Sequence, residues 1–446
     1  MVVKARTAEV ILSSTKNIVK ATEYDFLKPW IGQGLLLGQG AHWRSHRKLL
    51  TPTFHFQILE KFIPTMNAKV QIMMNLLNRK KNNQTNKIHI NDIRPFITNC
   101  TVDIICETAM GIKMSGQEEW FSLQEGETPI DITQGTKYST AVKSFLEIVL
   151  KRLITPWMYS DFIFSFMPLG KKMAKDLKDM HGFTNSVIIS RKKELESKYD
   201  ASATIEQNMK NLSSNKRVAF LDLLLGYHFK DPNEMDLVSI REEVDTFMFG
   251  GHDTTSTTLH FAFLLLGINI DKQRLIQEEL DDIFADDVEK EITLEDTKKM
   301  NYLEMAIKET MRLYPPAAFF GRKVVEEQDL DGLKTPIGTT ILILSYAIHR
   351  DPELYDQAER FIPERFEQNS KVSKNPFGYI PFSAGSRNCI GQRFAMLELK
   401  ILLATVFRKY NIRTLTKQEL VEVDISIITK TNTPIEVEFT PREKFL

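Results

Sequence analysis

The sequence predicts a mainly α protein with small β-sheets, an α+β chain in which helix far outweighs strand. Three observations carry that reading. Apolar residues recur at helical spacing through most of the chain. One such stretch, Ser239 to about Leu266, spans about 40 Å at a helical rise, enough to cross a whole molecule. Strand-like alternation is confined to Ala317–Val325, Gly332–Leu344 and Val421–Thr440. With 446 residues, 42% of them hydrophobic, the chain can bury a large core, as one big domain or as two or three smaller ones.

Composition excludes several function classes. A formal net charge of +0 points to neither a nucleic acid nor a strongly acidic partner. The three cysteines, Cys100, Cys106 and Cys389, form no CxxC pair, which argues against a disulfide framework or a cysteine-rich zinc site and fits a reducing compartment. No stretch approaches the roughly 18 apolar residues of a bilayer span. The start, Met1–Lys4 followed by Ala-Arg-Thr-Ala-Glu, has no signal-peptide core. As written, the sequence reads as a soluble chain.

In chain order, the segment through Leu27 reads as a short amphipathic helix around Val10, Ile11 and Ile18, followed by a Gly-rich passage, Gly32–Gly40. Trp43 and Arg47 lie four apart on the next helix and share a face, as a surface cation–π pair or as ligand contacts. Arg44, His46 and Lys48 make a basic face beside them, for an acidic partner or simply for solvent. Helical spacing continues over Ile58–Leu77 and Ile93–Met110, with a polar connector, Asn78–Asn86, between them and a loop-like Gly116–Thr136 after. Cys100 and Cys106 read as core thiols. Phe145–Met167, with Trp157, Tyr159, Phe162, Phe164 and Phe166, is assigned to core packing, with a pocket entrance or a membrane surface as the other readings. Ser190–Arg217 reads as a solvated helix and a mobile loop.

The long helix starts at a capping box, Ser239-Ile240-Arg241-Glu242, and breaks propensity rules in its middle. Gly250-Gly251 is followed by His252-Asp253-Thr254-Thr255-Ser256-Thr257-Thr258, and both glycine and β-branched residues cost helix stability. Such violations mark function. Two glycines clear flat space for a ligand, a threonine hydroxyl can hold dioxygen or water above a metal, and Asp253 can supply it with protons. The plainer alternative is a hydroxyl bonded to the carbonyl four residues back, bending the helix. Helices follow over Leu275–Phe284, from Thr293, and through Leu303 to Tyr314, where Pro315-Pro316 stops the last. Glu309 and Arg312 are an i,i+3 pair within it.

Cys389 sits between Gly385 and Gly391 in Phe382-Ser-Ala-Gly-Ser-Arg-Asn-Cys-Ile-Gly, a loop running into the helix-patterned Gln392–Phe407. A thiol just before a helix N-terminus has its anion favoured by the dipole and by free backbone N–H groups. The glycines admit a flat ligand, Phe382 can shield one side of the sulfur, and Arg387 sets a cation two residues away. Together they describe a metal-ligating cysteine with an arginine for an anionic group on the same ligand. The alternative for any lone cysteine is a small buried side chain.

The pattern Phe-x-x-Gly-x-Arg-x-Cys-x-Gly resembles the haem-ligand loop of the cytochrome P450 family, whose fold is helix-rich with a long central helix over the haem. The resemblance spans nearly the whole chain: Trp43/Arg47, Gly251–Thr255, Glu309/Arg312 with Arg365 of Pro363-Glu364-Arg365-Phe366, and the Cys389 loop occur in the family's order. Glu243–Thr255 is similar to the signature of family 4, whose members typically hydroxylate fatty acids and related lipids. The resemblance implies a single catalytic domain over residues 1–446 and haem b with Cys389 as its iron ligand. It implies Trp43, Arg47, Gly250, Gly251, Arg322, Phe382, Arg387 and Gly391 as cofactor contacts, and Thr254 and Asp253 as the catalytic proton relay. It further implies monooxygenation of an apolar substrate, a fatty acid, related lipid or xenobiotic. Electrons would come from an NADPH-dependent cytochrome P450 reductase and cytochrome b5, at the cytosolic face of the endoplasmic reticulum membrane with peripheral membrane contact and no nucleic acid.

Two departures matter. Many family 4 members carry a glutamate at Gly250 that can form an ester to the haem, so non-covalent haem and a looser preference for the terminal carbon are expected. The chain also begins near the family's second helix, so its N-terminal anchor and first elements are expected to be missing. The substrate pocket is expected around Phe247, Ala317–Phe320 and Ile427–Thr431. An inactive haem-binding fragment and an electron-independent haem-thiolate isomerase or dehydratase are the alternative functions.

Overall fold

The longest helix runs from Leu237 to Ile268. Its first turn is capped by Asp236, whose carboxylate accepts the Ser239 N–H at 2.7 Å, so Ser239 lies inside the helix and is not its cap. The computed structural model that shows this describes residues 1–124, 134–197, 199, 207, 219–285, 287–372 and 374–442. The chain divides into two units, and the boundary falls within this central helix, between Gly251 and His252.

The first unit comprises Met1–Ala21, Ile63–Thr101 and His252–Leu446. Its core is the helix Gln392–Lys409, buried through Leu399, Ile401, Leu402, Leu403, Val406 and Phe407. Helices Ile63–Arg79, Ile270–Phe284 and Asn301–Leu313 pack on it. A helix covered on several sides loses the polar face of an amphipathic one, as this sequence does. Val437–Pro441 is the middle strand of an antiparallel sheet, between Ile88–Ile90 and Tyr410–Thr414. A second apolar cluster joins the N-terminal helix Ala5–Leu12 to the strand pair Phe320–Lys323 and Thr340–Ile343 through Ala8, Ile11, Ile343 and Ile348.

Several boundaries differ from the sequence reading. The N-terminal helix stops at Leu12, leaving Ile18 beyond it. Ile58–Leu77 is two helices, Phe56–Glu60 and Ile63–Arg79. Gly332–Leu344 is not one hairpin: Gln328–Leu330 turns back onto Leu333–Thr335 through Asp331-Gly332, both at positive φ, while Thr340–Ile343 pairs with Phe320–Lys323. Pairing is chosen by partners distant in sequence, which alternation alone does not specify. The C-terminal alternation likewise divides into a two-residue ladder, Val423–Asp424 with Lys430–Thr431, and the strand Val437–Pro441.

The second unit comprises Thr22–Phe62 and Val102–Gly251. Helices Gln134–Leu153 and Pro168–Glu196 pack against each other. Gly116–Gln124 is helical where a loop was expected, and residues 125–133 lie outside the described residues. The loop expected over Ser190–Arg217 lies largely outside them too. The core assignment of the 154–166 aromatics is overturned: Trp157, Phe162 and Phe166 are about two-thirds or more exposed, and only Phe164 is buried. They sit on the turn Pro156–Met158 and the short helix Asp161–Phe166, too short to bury more than one face. The Gly-rich passage lies along the first half of the central helix: the Glu242 carboxylate accepts the Gln33 N–H at 2.9 Å, and Glu243 accepts the Leu35 N–H at 3.0 Å.

Candidate active site

The Cys389 loop is shaped by its backbone. The Cys389 N–H donates to the Phe382 carbonyl at 2.9 Å, closing the loop just before the helix that begins at Gln392. Gly385, at φ +69°, takes the left-handed conformation that favours glycine and leaves no room for a side chain beneath the Leu12 carbonyl. Gly391 is the helix N-cap, and a Cβ there would meet the Cys389 Sγ at ordinary contact distance, 3.9 Å. Cys100 and Cys106 are buried, whereas Cys389 is exposed. A single sulfur donor of this kind suits a metal that brings the rest of its ligands with it, as a porphyrin does.

A cluster of cations accompanies that sulfur in the first unit. Arg322 is buried on its strand and donates to the Gly321 carbonyl at 3.0 Å, and Arg387 is buried in the turn Gly385–Arg387. Lys20 bridges to Arg322 through its backbone. Its side chain is densely surrounded although the residue keeps some accessible surface, and burial together with Arg322 and Arg387 pushes its ammonium well below the usual lysine range. Three converging cations suit a ligand with more than one negative charge. Lys20 escaped sequence reasoning because nothing near it in the chain marks it; Arg322 and Arg387 lie 302 and 367 positions away.

Asp253 and Thr254 begin the first-unit half of the central helix, and both are partly exposed. Thr258 takes the plain helical role, its hydroxyl donating to the Thr254 carbonyl at 3.1 Å. Asp253 pairs with Lys430, Oδ2 to Nζ 3.4 Å, a partner the sequence did not suggest. Glu398, on the helix after Cys389, is buried, and desolvation pushes its carboxyl well above the usual range, with Thr255 pulling the other way.

Glu309, Arg312 and Arg365 form a buried support in the same unit. Arg312 donates from Nε and Nη2 to the two Glu309 oxygens at 2.7 and 2.8 Å. The remaining Arg312 donors reach the His349 and Arg360 carbonyls, while Arg365 stands 3.4 Å from Glu309. Glu309 also accepts the Ile362 N–H at 2.9 Å, tying the helix to the segment that leads into the Cys389 loop. Nearby, Thr429 donates its N–H and hydroxyl to the Pro316 and Pro315 carbonyls, at 2.8 and 2.6 Å, which ties the Ile427–Thr431 segment to the Pro-Pro stop just before Ala317.

The second unit holds the other predicted contacts. Trp43 is buried and Arg47 partly so, four apart on the helix Gly40–Leu50. His46 leaves the expected basic face: it is buried with Nδ1 2.7 Å from Glu243, so that face consists of Arg44 and Lys48. The two glycines differ. A Cβ on Gly250 would meet open space, whereas one on Gly251 would lie 2.6 Å from Ile105 Cδ1, so Gly251 serves helix packing there. Phe247 belongs to an aromatic cluster with Phe220 and Phe54, ring centroids 4.1 and 5.4 Å away.

A sequence profile for Cytochrome P450 matches residues 2–439. The chain belongs to the cytochrome P450 family. It is 38% identical over 441 residues to Cytochrome P450 4V2 of Mus musculus, covering 99% of this chain and 80% of that protein. It is 39% identical over 438 residues to Cytochrome P450 4V2 of Homo sapiens, 98% of this chain and 79% of the relative. Cytochrome P450 4c3 of Drosophila melanogaster matches at 38% over 441 residues, 98% of this chain and 79% of the relative. This P450 is therefore a haem-dependent monooxygenase of the family 4 kind, with the mainly α fold of its family. The residues present fit the cofactor: an accessible sulfur donor on a glycine-bounded loop, and a cation cluster suited to the two propionates.

Proposed function

We propose that this P450 hydroxylates an apolar substrate, a fatty acid, related lipid or xenobiotic, with haem b held non-covalently by Cys389. The observation that carries the proposal is the exposed Cys389 thiol on its loop together with Lys20, Arg322 and Arg387 in one unit. Bound there, the haem supplies dioxygen activation, with electron density pushed onto the iron by the thiolate. Lys20, Arg322 and Arg387 would neutralise its carboxylates, with Phe382 and Gly391 flanking the sulfur; Trp43 and Arg47 are proposed as contacts on the family pattern alone. Gly250 offers no carboxylate for an ester bond. Asp253 takes protons from solvent and passes them to the Thr254 hydroxyl, which presents them to the reacting oxygen. Ala317–Phe320 and Ile427–Thr431 would line the substrate side, orienting the substrate and excluding water.

Electrons come from an NADPH-dependent P450 reductase, with cytochrome b5 as a second donor, and Arg44 and Lys48 are the cations available to dock them. The exposed Trp157, Phe162 and Phe166 support peripheral contact with a membrane, placed at the cytosolic face of the endoplasmic reticulum. No helix among the described residues is long and apolar enough to cross a membrane. The two units act as one catalytic domain, which the unbroken central helix supports.

The test is the absorption of the reduced, carbon monoxide-bound protein beside a Cys389→Ser control, followed by turnover with reductase and NADPH. A strongly red-shifted Soret band that the control lacks, with NADPH-dependent hydroxylation of a fatty acid, is the expected result. Absence of the band in haem-supplied protein overturns thiolate ligation. Turnover that persists without NADPH and reductase marks an electron-independent isomerase instead.

A further inference from the structure

Asp253 carries an ion pair that a bare relay does not require. Lys430 Nζ stands 3.4 Å from its Oδ2, with the two side chains 28% and 14% exposed. The lysine is mounted on fixed backbone. Thr429 before it is anchored to Pro315 and Pro316, and the Thr431 carbonyl after it accepts from Arg94 Nη2 at 2.7 Å. Both threonines are buried, and strand alternation turns Lys430 to the opposite side. Both side chains are about three-quarters or more buried, so the ammonium is held in place beside the carboxylate and is not a loose surface partner. Asp424 stands opposite Lys430 in the strand register, yet the ion pair the lysine makes is with Asp253.

We propose that Lys430 is a positioning residue for the proton relay: its ammonium holds the Asp253 carboxylate at the solvent end of the relay, aligned for delivery to Thr254. This rests on the relay reading given above. In productive turnover the substrate RH, dioxygen, two electrons from NADPH through the reductase and two protons give ROH and water. When protons do not reach the correct oxygen, dioxygen with the same two electrons and two protons leaves as hydrogen peroxide. Misplacing Asp253 therefore shifts electrons from ROH to peroxide without blocking reduction.

Lys430→Met, Lys430→Arg, Asp253→Asn and the Lys430→Met/Asp253→Asn pair are compared with wild type, each first shown to keep the reduced, carbon monoxide-bound Soret band. Peroxide formed per NADPH should rise at least about twofold in Lys430→Met, because removing one partner of a mostly buried pair leaves the other charge unheld. It should stay near wild type in Lys430→Arg, and Lys430→Met should add nothing to Asp253→Asn. The second readout is independent of turnover: urea midpoints of the four ferric proteins in the Met/Asn cycle should be non-additive. If Asp253→Asn raises peroxide and Lys430→Met does not, or if the midpoints are additive, the role of Lys430 is overturned while the relay stands. If Asp253→Asn itself leaves peroxide unchanged, the relay reading fails first.

Discussion

Acidification from pH 7 to pH 5 should weaken this protein through two deeply buried histidines. His260, on the central helix, is held to a pKa of about 3 by burial and by Arg94, whose Nη2 lies 3.5 Å from its Nε2. His349 is held to about 3 by burial and by Arg312 and Arg350, and its Nε2 accepts the Ile380 N–H at 2.8 Å. In the unfolded chain each takes a proton below its ordinary value of 6.5. The folded chain refuses that proton until about pH 3, so the stability present above 6.5 is lost progressively as the pH falls through this window. Between pH 7 and pH 5 the loss is about 2 kcal/mol per histidine. Asp245 and Glu398 act in the opposite sense: burial raises both carboxyls, so their contribution is present at low pH and fades as pH rises. The histidine share is therefore read from variants. His260→Gln and His349→Gln, the latter keeping an acceptor for Ile380, should each flatten the pH dependence of urea unfolding by about 2 kcal/mol over this interval. Profiles that run parallel to wild type would refute the reasoning.

Glu309→Gln deprives the fully buried Arg312 of its carboxylate and should cost about 3–5 kcal/mol, seen as a lowered urea midpoint; a cost under about 1 kcal/mol would make the support dispensable. Gly250→Glu enters open space and should fold normally, with part of the haem resisting acidified-solvent extraction, whereas Gly251→Val meets Ile105 and should lower the melting temperature. The reverse ranking would contradict the geometry. Lys20→Met removes one of three cations and should speed haem transfer to a scavenger roughly tenfold, a charge-assisted bond's share; an unchanged rate would remove Lys20 from the site.

Motifs confined to short windows were legible in the sequence. The Cys389 loop, the Gly250–Thr258 break in helix propensity, and the Glu309/Arg312 spacing each announce themselves within a dozen residues. So does the Thr293 capping box, where Asp296 accepts the Thr293 N–H and Thr293 accepts the Asp296 N–H. Distant pairings were not legible. Lys430 meets Asp253 and Lys20 meets Arg322 only after folding, and a lysine destined for such a place resembles any surface lysine. His46 looked like part of a basic face because Glu243, its partner, lies on another helix. The 154–166 aromatics were misplaced because apolar composition argues for burial without saying what would cover it.

The three-stranded sheet has a bearing on how the protein is made. Its middle strand, Val437–Pro441, is translated long after one neighbour, Ile88–Ile90; the ion pair Lys87–Glu438 spans 351 positions. At about 5–20 residues per second, the early strand waits roughly 20–70 s for its partner. A nascent chain stalled just short of residue 437 would already contain Cys389, the relay and every cation of the site. It would nonetheless expose an unpaired strand edge to chaperones and proteases, so cellular yield should respond to C-terminal truncation more sharply than the distance from the chemistry suggests.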